Sequence, residues 1–158
     1  MTSSPASAST GPGPPRWGPR RVLALVGAAG IFTSGYVHYY LYFEGGYRGI
    51  HPENVLGLTI SRAFILNAIA AVVIAEALVV SLRWPRLALP ATLAGLGLAA
   101  TTLVAYVFTR TTGFLGFSDT QATFEAVVAG VAEVVAVVAL AGVIVASRPT
   151  LDPSGVRL

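Results

Sequence analysis

The sequence predicts an all-α membrane protein, a membrane-spanning four-helix bundle arranged up-down-up-down with both termini in the cytoplasm. The 158 residues are 54% hydrophobic and only 11% charged, whereas soluble domains carry roughly 25% charged residues. The apolar residues lie in four runs, each longer than the roughly 20 residues that cross a bilayer as a helix. Short polar connections join the runs, which favours packing between consecutive helices.

The first run covers residues 22–43. Residues 1–20 precede it as a tail rich in Ser, Pro and Gly, and we expect this tail to be disordered. Because the run begins near the N-terminus and contains the small residues VGAAG, a cleaved signal peptide is an alternative. The run is long for the apolar region of a signal peptide, which favours a membrane-spanning helix.

The other three predicted helices cover residues 55–82, 87–109 and 121–146, within a transmembrane domain of residues 21–147 followed by a tail of residues 148–158. The motif Arg83-Trp84-Pro85-Arg86 ends the second helix with charge and a helix breaker. Small residues recur at every fourth position of the third and fourth helices, which indicates close helix contacts within a membrane. These residues are Ala91, Gly95 and Ala99, and Ala122, Ala126 and Gly130.

Arginine placement predicts the orientation. One side of the predicted bundle carries seven arginines, and the loops of the other side carry only Arg48 and Arg110. The side with more arginine faces the cytoplasm in membrane proteins, so we expect a multi-pass protein of the inner (plasma) membrane. The net charge of +3 is then a sign of topology and does not predict nucleic-acid binding. The chain has no cysteine, which excludes disulfides, thiolate metal sites and cysteine nucleophiles.

Tyrosines are concentrated toward the predicted outer side. The stretch GYVHYYLYFEGGYRGIHPEN, residues 35–54, holds five of the six tyrosines and both histidines. Tyrosine favours the membrane–water interface, so one interpretation is an interfacial belt. The alternative is an aromatic-walled polar cavity, because four tyrosines of one helix point in too many directions for all to face lipid.

Ionisable residues within a membrane span are costly unless they are paired or hydrated, so each is a candidate for function. Five polar residues form a candidate cofactor-binding cluster in the outer half, namely His38, Tyr42, Arg62, Asn67 and Glu125. Of these, His38, Arg62 and Glu125 share a similar predicted depth, and Asn67 lies deeper. A purely structural hydrogen-bonded cluster of His38, Arg62 and Glu125 is an alternative. A third is separate snorkelling of each side chain.

Two further carboxyl groups fall within the predicted spans. Glu133 lies near the predicted midplane, and Glu76 lies about two turns from the predicted inner face. Glu133 could be a protonated group hydrogen-bonded to a neighbouring helix. The functional alternative is a proton relay through Glu76 and Glu133.

The sequence contains residues that can bind a metal or a cofactor, but their pattern does not identify one. His38, Glu44, His51 and Glu53 are ligand types, but their spacing matches no standard motif, so we assign no metal site. Haem held by a single histidine is a further possibility. No hydrolase triad, phosphate-binding loop or dinucleotide fingerprint is present, so we assign no catalytic residue and expect no enzymatic activity.

Three segments carry a family resemblance: GYVHYYLYFEGGYRGI, FILNAIAA (residues 64–71) and RTTGFLGF (residues 110–117). In these landmarks the chain resembles a group of uncharacterised small four-helix integral membrane proteins of high-GC bacteria, over residues 21–147. The resemblance implies the four-helix architecture and no activity.

Three functions are therefore compatible with the sequence. The first is a non-enzymatic accessory or scaffold protein that contacts a membrane-protein partner, or a second copy of itself, within the lipid bilayer. The second is a module that binds a small ligand or a cofactor, such as haem, a quinone or a metal, in the outer half of the bundle. The third is a proton-coupled or ion-conducting protein that uses Glu133 and Glu76.

Overall fold

Four α-helices form the protein in a computed structural model that describes residues 18–50 and 57–147. They are α1 (Pro19–Phe43), α2 (Ile60–Ser81), α3 (Ala88–Thr111) and α4 (Phe124–Val145). All four are long and apolar enough to cross a membrane. The predicted all-α class with four helices is therefore confirmed, and the chain has the character of a multi-pass membrane protein. Of the predicted disordered tail, residues 1–17 lie outside the described residues, whereas Pro19 and Arg20 already belong to α1, so the tail was predicted to extend too far. The predicted C-terminal tail, residues 148–158, also lies outside the described residues.

The helix boundaries follow local capping chemistry. Thr59 accepts a hydrogen bond from the backbone N–H of Arg62 and caps α2, and Thr123 caps α4 in the same way through Ala126. Gly57 has a φ of 79°, a left-handed conformation that a continuous helix does not allow. The predicted helix over residues 55–82 therefore begins too early, because α2 starts at Ile60. The predicted start of the last helix at residue 121 is likewise early, since α4 starts at Phe124.

The helices pack in a ring in which α1 contacts α4 and α2, and α3 contacts the same two helices. Small residues bring the backbones together, as expected where lipid replaces water around the bundle. Leu140 of α4 is completely buried. A Cβ atom added at Gly27 would lie 2.5 Å from Leu140, and one at Gly95 would lie 2.8 Å from it. Leu140 thus fills the space that two glycines on neighbouring helices leave open.

The small-residue prediction is confirmed on α3 and wrong on α4. Ala91, Gly95 and Ala99 are all buried. On α4, Ala122 precedes the helix and a Cβ added at Gly130 would meet nothing within 4 Å. The buried side of α4 is formed by a different set, namely Ala129, Ala132, Glu133, Ala136, Ala139, Leu140 and Val143. The period of four on α4 therefore coincides with a face that carries no close helix contact.

A tight turn shapes the loop between α3 and α4. The backbone N–H of Phe114 donates to the carbonyl of Phe117 at 2.7 Å, and Phe117 returns a bond of 3.0 Å. Leu115 and Gly116 between them have φ values of 51° and 69°, which is the left-handed pair of a two-residue hairpin turn. The turn sets the two phenylalanines side by side at one end of the bundle.

Candidate functional site

A cavity of about 380 Å³ opens among all four helices. It is lined by the C-terminal parts of α1 and α3, the N-terminal parts of α2 and α4, and the loops beside them. On α3 the lining extends from Leu98 to Arg110, which corresponds to roughly 18 Å along the helix axis. We call this end of the bundle the cavity end. The volume lies within the range of small-molecule sites, about 300–1,000 Å³.

Four rings in successive contact, which we call the aromatic wall, form one side of the cavity: His38, Phe64, Tyr47 and Phe117. The His38 and Phe64 ring centroids are 4.9 Å apart, and Tyr47 stacks on Phe64 at 4.5 Å with an interplanar angle of 19°. Phe117 meets Tyr47 edge-on at 5.5 Å. Since these rings come from α1, the loop after it, α2 and the α3–α4 turn, the wall connects elements that are distant in sequence.

The deeper part of the cavity contains a buried polar group of three residues. The Ser34 hydroxyl donates to Oε1 of Glu133 at 2.7 Å, which links α1 to α4. Nδ1 of His38 lies 2.8 Å from the Ser34 carbonyl oxygen, so Nδ1 carries the proton and donates it. The second carboxyl oxygen of Glu133 and Nε2 of His38 make no hydrogen bond within residues 18–50 and 57–147. Both side chains line the cavity and retain capacity to bind a ligand.

Asn67 supplies an amide to the same cavity from α2. Its Oδ1 lies 3.5 Å from the Thr102 hydroxyl of α3, and that hydroxyl also donates to the Leu98 carbonyl at 2.7 Å. No described residue accepts a hydrogen bond from the Asn67 amide nitrogen. Asn67 is therefore a donor held beside α3, with its hydrogens available to a bound molecule.

Arg110 lies near the end of α3 with no acceptor in the described part of the chain. Its guanidinium carbon lies 5.0 Å from the centre of the Tyr106 ring, a cation–π contact. Its Nη1 is buried and has no hydrogen-bond partner among the described residues. A buried donor without an acceptor costs about 1–3 kcal/mol. Because Arg110 also lines the cavity, a molecule in the cavity could provide the missing acceptor.

A hydrogen bond joins Tyr47 to Asp119, and both residues line the cavity. The Tyr47 hydroxyl donates to Oδ2 of Asp119 at 3.4 Å, while Oδ1 of Asp119 accepts from the Gln121 backbone at 2.9 Å. Burial raises the pKa of Tyr47, and the nearby charge and hydrogen bond of Asp119 raise it further. The positive charge of Arg110 acts in the opposite direction and lowers the pKa of Tyr47.

The predicted outer cluster is only partly assembled. His38 and Asn67 line the cavity, whereas Tyr42, Arg62 and Glu125 do not. Arg62 is exposed, and its Nη1 donates to the Gly57 carbonyl at 2.6 Å. Within the described residues no hydrogen bond or ion pair joins His38, Arg62 and Glu125, so the predicted structural cluster of these three is wrong. The cause is that equal depth does not put side chains on facing sides of their helices.

The candidate relay residues have different environments. Glu133 is only 2% exposed and is held by Ser34, whereas Glu76 is exposed on α2 and does not line the cavity. No group of three His, Asp or Glu side chains in the described ranges is close enough to hold a metal ion. Of the other possible ligands considered, Glu44 is exposed, and His51 and Glu53 lie outside those ranges.

Five residues of the site were not selected as candidates from the sequence: Ser34, Tyr47, Thr102, Arg110 and Asp119. A signal existed for three of them. Arg110, Asp119 and Tyr47 all belong to the two loops on the side with fewer arginines, and loops of one side meet at one end of a bundle. Ser34 and Thr102 had no such signal, because hydroxyl residues are common in membrane helices and often bond to their own backbone.

The tyrosines divide between the two interpretations offered for them. Tyr36, Tyr39 and Tyr40 are exposed, as an interfacial belt requires. Tyr47 and Tyr106 line the cavity, as the alternative of an aromatic-walled cavity requires.

Comparison of the chain with protein-family models, with curated proteins and with solved structures finds no match, so the assignment of function depends on the geometry of the cavity and its lining.

Proposed function

We propose that this membrane protein binds a small, mostly apolar molecule in the cavity between its helices, as a non-enzymatic ligand-binding module. The observation that carries the proposal is the cavity itself, which combines aromatic walls with a few hydrogen-bonding groups that no described residue satisfies. Small-molecule sites have this composition, an apolar lining with a few placed polar groups. A tightly packed scaffold protein would have no reason to keep such a space at the junction of four helices.

The size of the cavity restricts the ligand. A volume of about 380 Å³ lies toward the small end of the range of ligand sites, about 300–1,000 Å³. A porphyrin is considerably larger, so haem fits poorly although His38 presents a free Nε2. A single substituted ring, or a short stretch of an acyl chain, matches the volume.

The proposed setting is the inner membrane, with both termini in the cytoplasm and the cavity end at the outer face. The arginine distribution supports this orientation. The lining of the cavity also supports the alternating helix directions, because the ends of α1 and α3 meet the beginnings of α2 and α4 there. A ligand dissolved in the outer leaflet would then be at the level of the cavity.

A blocking substitution tests the proposal. Ala105 lines the cavity, and Ala100 on the same helix is exposed and does not line it. The protein in lipid nanodiscs is titrated with three probes, decylubiquinone, dodecanoic acid and decylbenzene, while the melting temperature is followed. A ligand that binds only the folded protein raises its stability by RT ln(1 + [L]/Kd). We expect at least one probe to produce a saturable rise in wild type and Ala100→Phe that is absent in Ala105→Phe. An identical response of both variants to all three probes would overturn the proposal.

A further inference from the structure

The donors that line the cavity require a ligand with acceptor groups. The Arg110 guanidinium makes no hydrogen bond with the described residues, and its contact is with the face of the Tyr106 ring. Since Tyr106 precedes Arg110 by one helical turn, this contact draws the guanidinium back along α3, toward the cavity. The first acceptor site is therefore beside the Tyr106 ring.

A second donor lies deeper in the cavity. Asn67 contacts Thr102, which precedes Tyr106 by four residues on α3. Four residues correspond to about 6 Å along the helix. Asn67 and Arg110 therefore contact α3 at residues one turn apart, so a ligand with two acceptor groups can meet both donors.

Charge favours a neutral acceptor over an anion. Asp119 lines the cavity, and its negative charge would oppose a carboxylate or a phosphate in a medium of low dielectric constant. A carbonyl oxygen accepts from Arg110 and Asn67 without adding a negative charge.

From these observations we infer that the ligand is a membrane quinone, with one carbonyl oxygen at Arg110 and the other at Asn67, and with its ring beside the aromatic wall. This inference rests on the proposed function and specifies its ligand. The ring with its substituents fills the available volume, and the apolar tail extends between the helices toward lipid. Aromatic side chains favour stacked or edge-on contacts with such a ring.

The test measures decylubiquinone affinity in nanodiscs for variants that remove one donor each. Arg110→Gln and Asn67→Leu are compared with Arg48→Gln, which changes an exposed arginine that does not line the cavity. We expect each of the first two to weaken binding about tenfold, which corresponds to about 1.4 kcal/mol and is typical of a hydrogen bond between a carbonyl and a polar donor. Arg48→Gln should bind as wild type does.

Two further measurements separate the possible failures. Arg110→Lys keeps the charge but not the planar fork, and it replaces Arg110→Gln if that variant does not fold; it should also bind more weakly. If dodecanoic acid binds more tightly than decylubiquinone, or if Arg110 and Asn67 variants bind decylubiquinone as wild type does, the quinone inference is wrong. In either case a difference between Ala105→Phe and Ala100→Phe would still support the proposed function.

Discussion

The Ser34 hydroxyl donates a 2.7 Å hydrogen bond to the Glu133 carboxyl group, which is 2% exposed. This bond joins α1 to α4 inside the membrane-spanning part of the bundle. A carboxyl group in such a position is costly unless a neighbouring helix supplies a partner. Ser34 is that partner, and the pair explains how an acidic residue is accommodated among the alanines and valines of α4.

Ser34→Ala should destabilise the bundle by about 1–3 kcal/mol, because it leaves a buried carboxyl oxygen without its donor. Ser81→Ala is the matched control, since Ser81 is also buried but its hydroxyl bonds only to the Leu78 carbonyl of its own helix. The free energy of unfolding in mixed micelles measures both. Equal losses in the two variants would contradict a stabilising role for the interhelical bond.

Glu133→Gln provides a complementary measurement. The amide oxygen still accepts from Ser34, so the interhelical bond is retained and we expect a smaller loss of stability than in Ser34→Ala. Glu133→Leu removes the acceptor altogether, so combining it with Ser34→Ala gives a double-mutant cycle, and the coupling should be about 0.5–3 kcal/mol for residues in direct contact. Additive effects would show that Ser34 and Glu133 do not depend on each other.

Gly35→Ala should separate α1 from α2. An added Cβ atom would lie 2.3 Å from the Cβ of Ala71, and neither backbone can yield without a shift of the helices. We expect a loss of about 1–3 kcal/mol from overpacking. Gly130→Ala is the control, because a Cβ there meets nothing within 4 Å and alanine favours the helix by up to about 1 kcal/mol.

The compensating substitution makes this prediction specific. In Gly35→Ala combined with Ala71→Gly the two residues exchange sizes, so part of the lost stability should return in thermal unfolding. Without recovery, the cost of Gly35→Ala would have to arise elsewhere than at the α1–α2 contact.

Tyr47 should ionise above the ordinary range of a tyrosine, because burial and then Asp119 raise its pKa. The unfolded pKa is about 10, and the folded protein holds the phenol proton more tightly. Its contribution to stability is therefore complete below about pH 10 and is lost as the pH rises through the folded pKa. The difference between the phenolate absorbance titrations of wild type and Tyr47→Phe isolates this residue.

Asp119→Asn tests the assigned causes of that shift. It removes the charge beside Tyr47, so the pKa should move down toward the ordinary value. It should not reach that value, because burial is the larger cause. A complete return in Asp119→Asn, or no change at all, would contradict this order.

The helices were predictable because a membrane-spanning helix is recognised from a run of about 20 mostly apolar residues. Four such runs in one chain leave few folds other than a bundle of membrane-spanning helices. The small residues Ala91, Gly95 and Ala99 correctly predicted a buried face of α3. The helix starts were less certain, because a single threonine cap decides them. Thr59 and Thr123 place the starts five and three residues later than hydropathy alone suggests.

The candidate site was less predictable. A sequence indicates how deep a residue lies in the membrane, but it does not show which neighbouring helix the side chain faces. His38, Arg62 and Glu125 share a depth, but Arg62 lies two residues, or about 200°, from the buried Ile60 and faces outward. Glu133 was singled out as a carboxyl group near the predicted midplane, yet its partner could not be named, since several serines and threonines were available to face it. Ser34 is chosen by the way α1 and α4 pack.

The orientation of the bundle gives the last prediction, and the absence of cysteine from the chain makes it simple to test. Single cysteines are introduced by Ser118→Cys in the α3–α4 loop and by Ser154→Cys in the C-terminal tail. Ser118 is exposed, and its hydroxyl makes only a 3.4 Å contact with the Thr109 carbonyl, so the change should be tolerated. Because seven arginines lie on the side of the tails, that side should be retained in the cytoplasm.

A membrane-impermeant maleimide applied to intact spheroplasts should therefore label the Ser118→Cys variant at once, and the Ser154→Cys variant only after the membrane is opened. Labelling in the reverse order would put the cavity end in the cytoplasm. Replacing Arg16, Arg20 and Arg21 with glutamine reduces the difference in arginine between the two sides from seven against two to four against two. This variant should give a mixed population in the same assay, because the remaining difference is carried by the α2–α3 loop and the C-terminal tail alone.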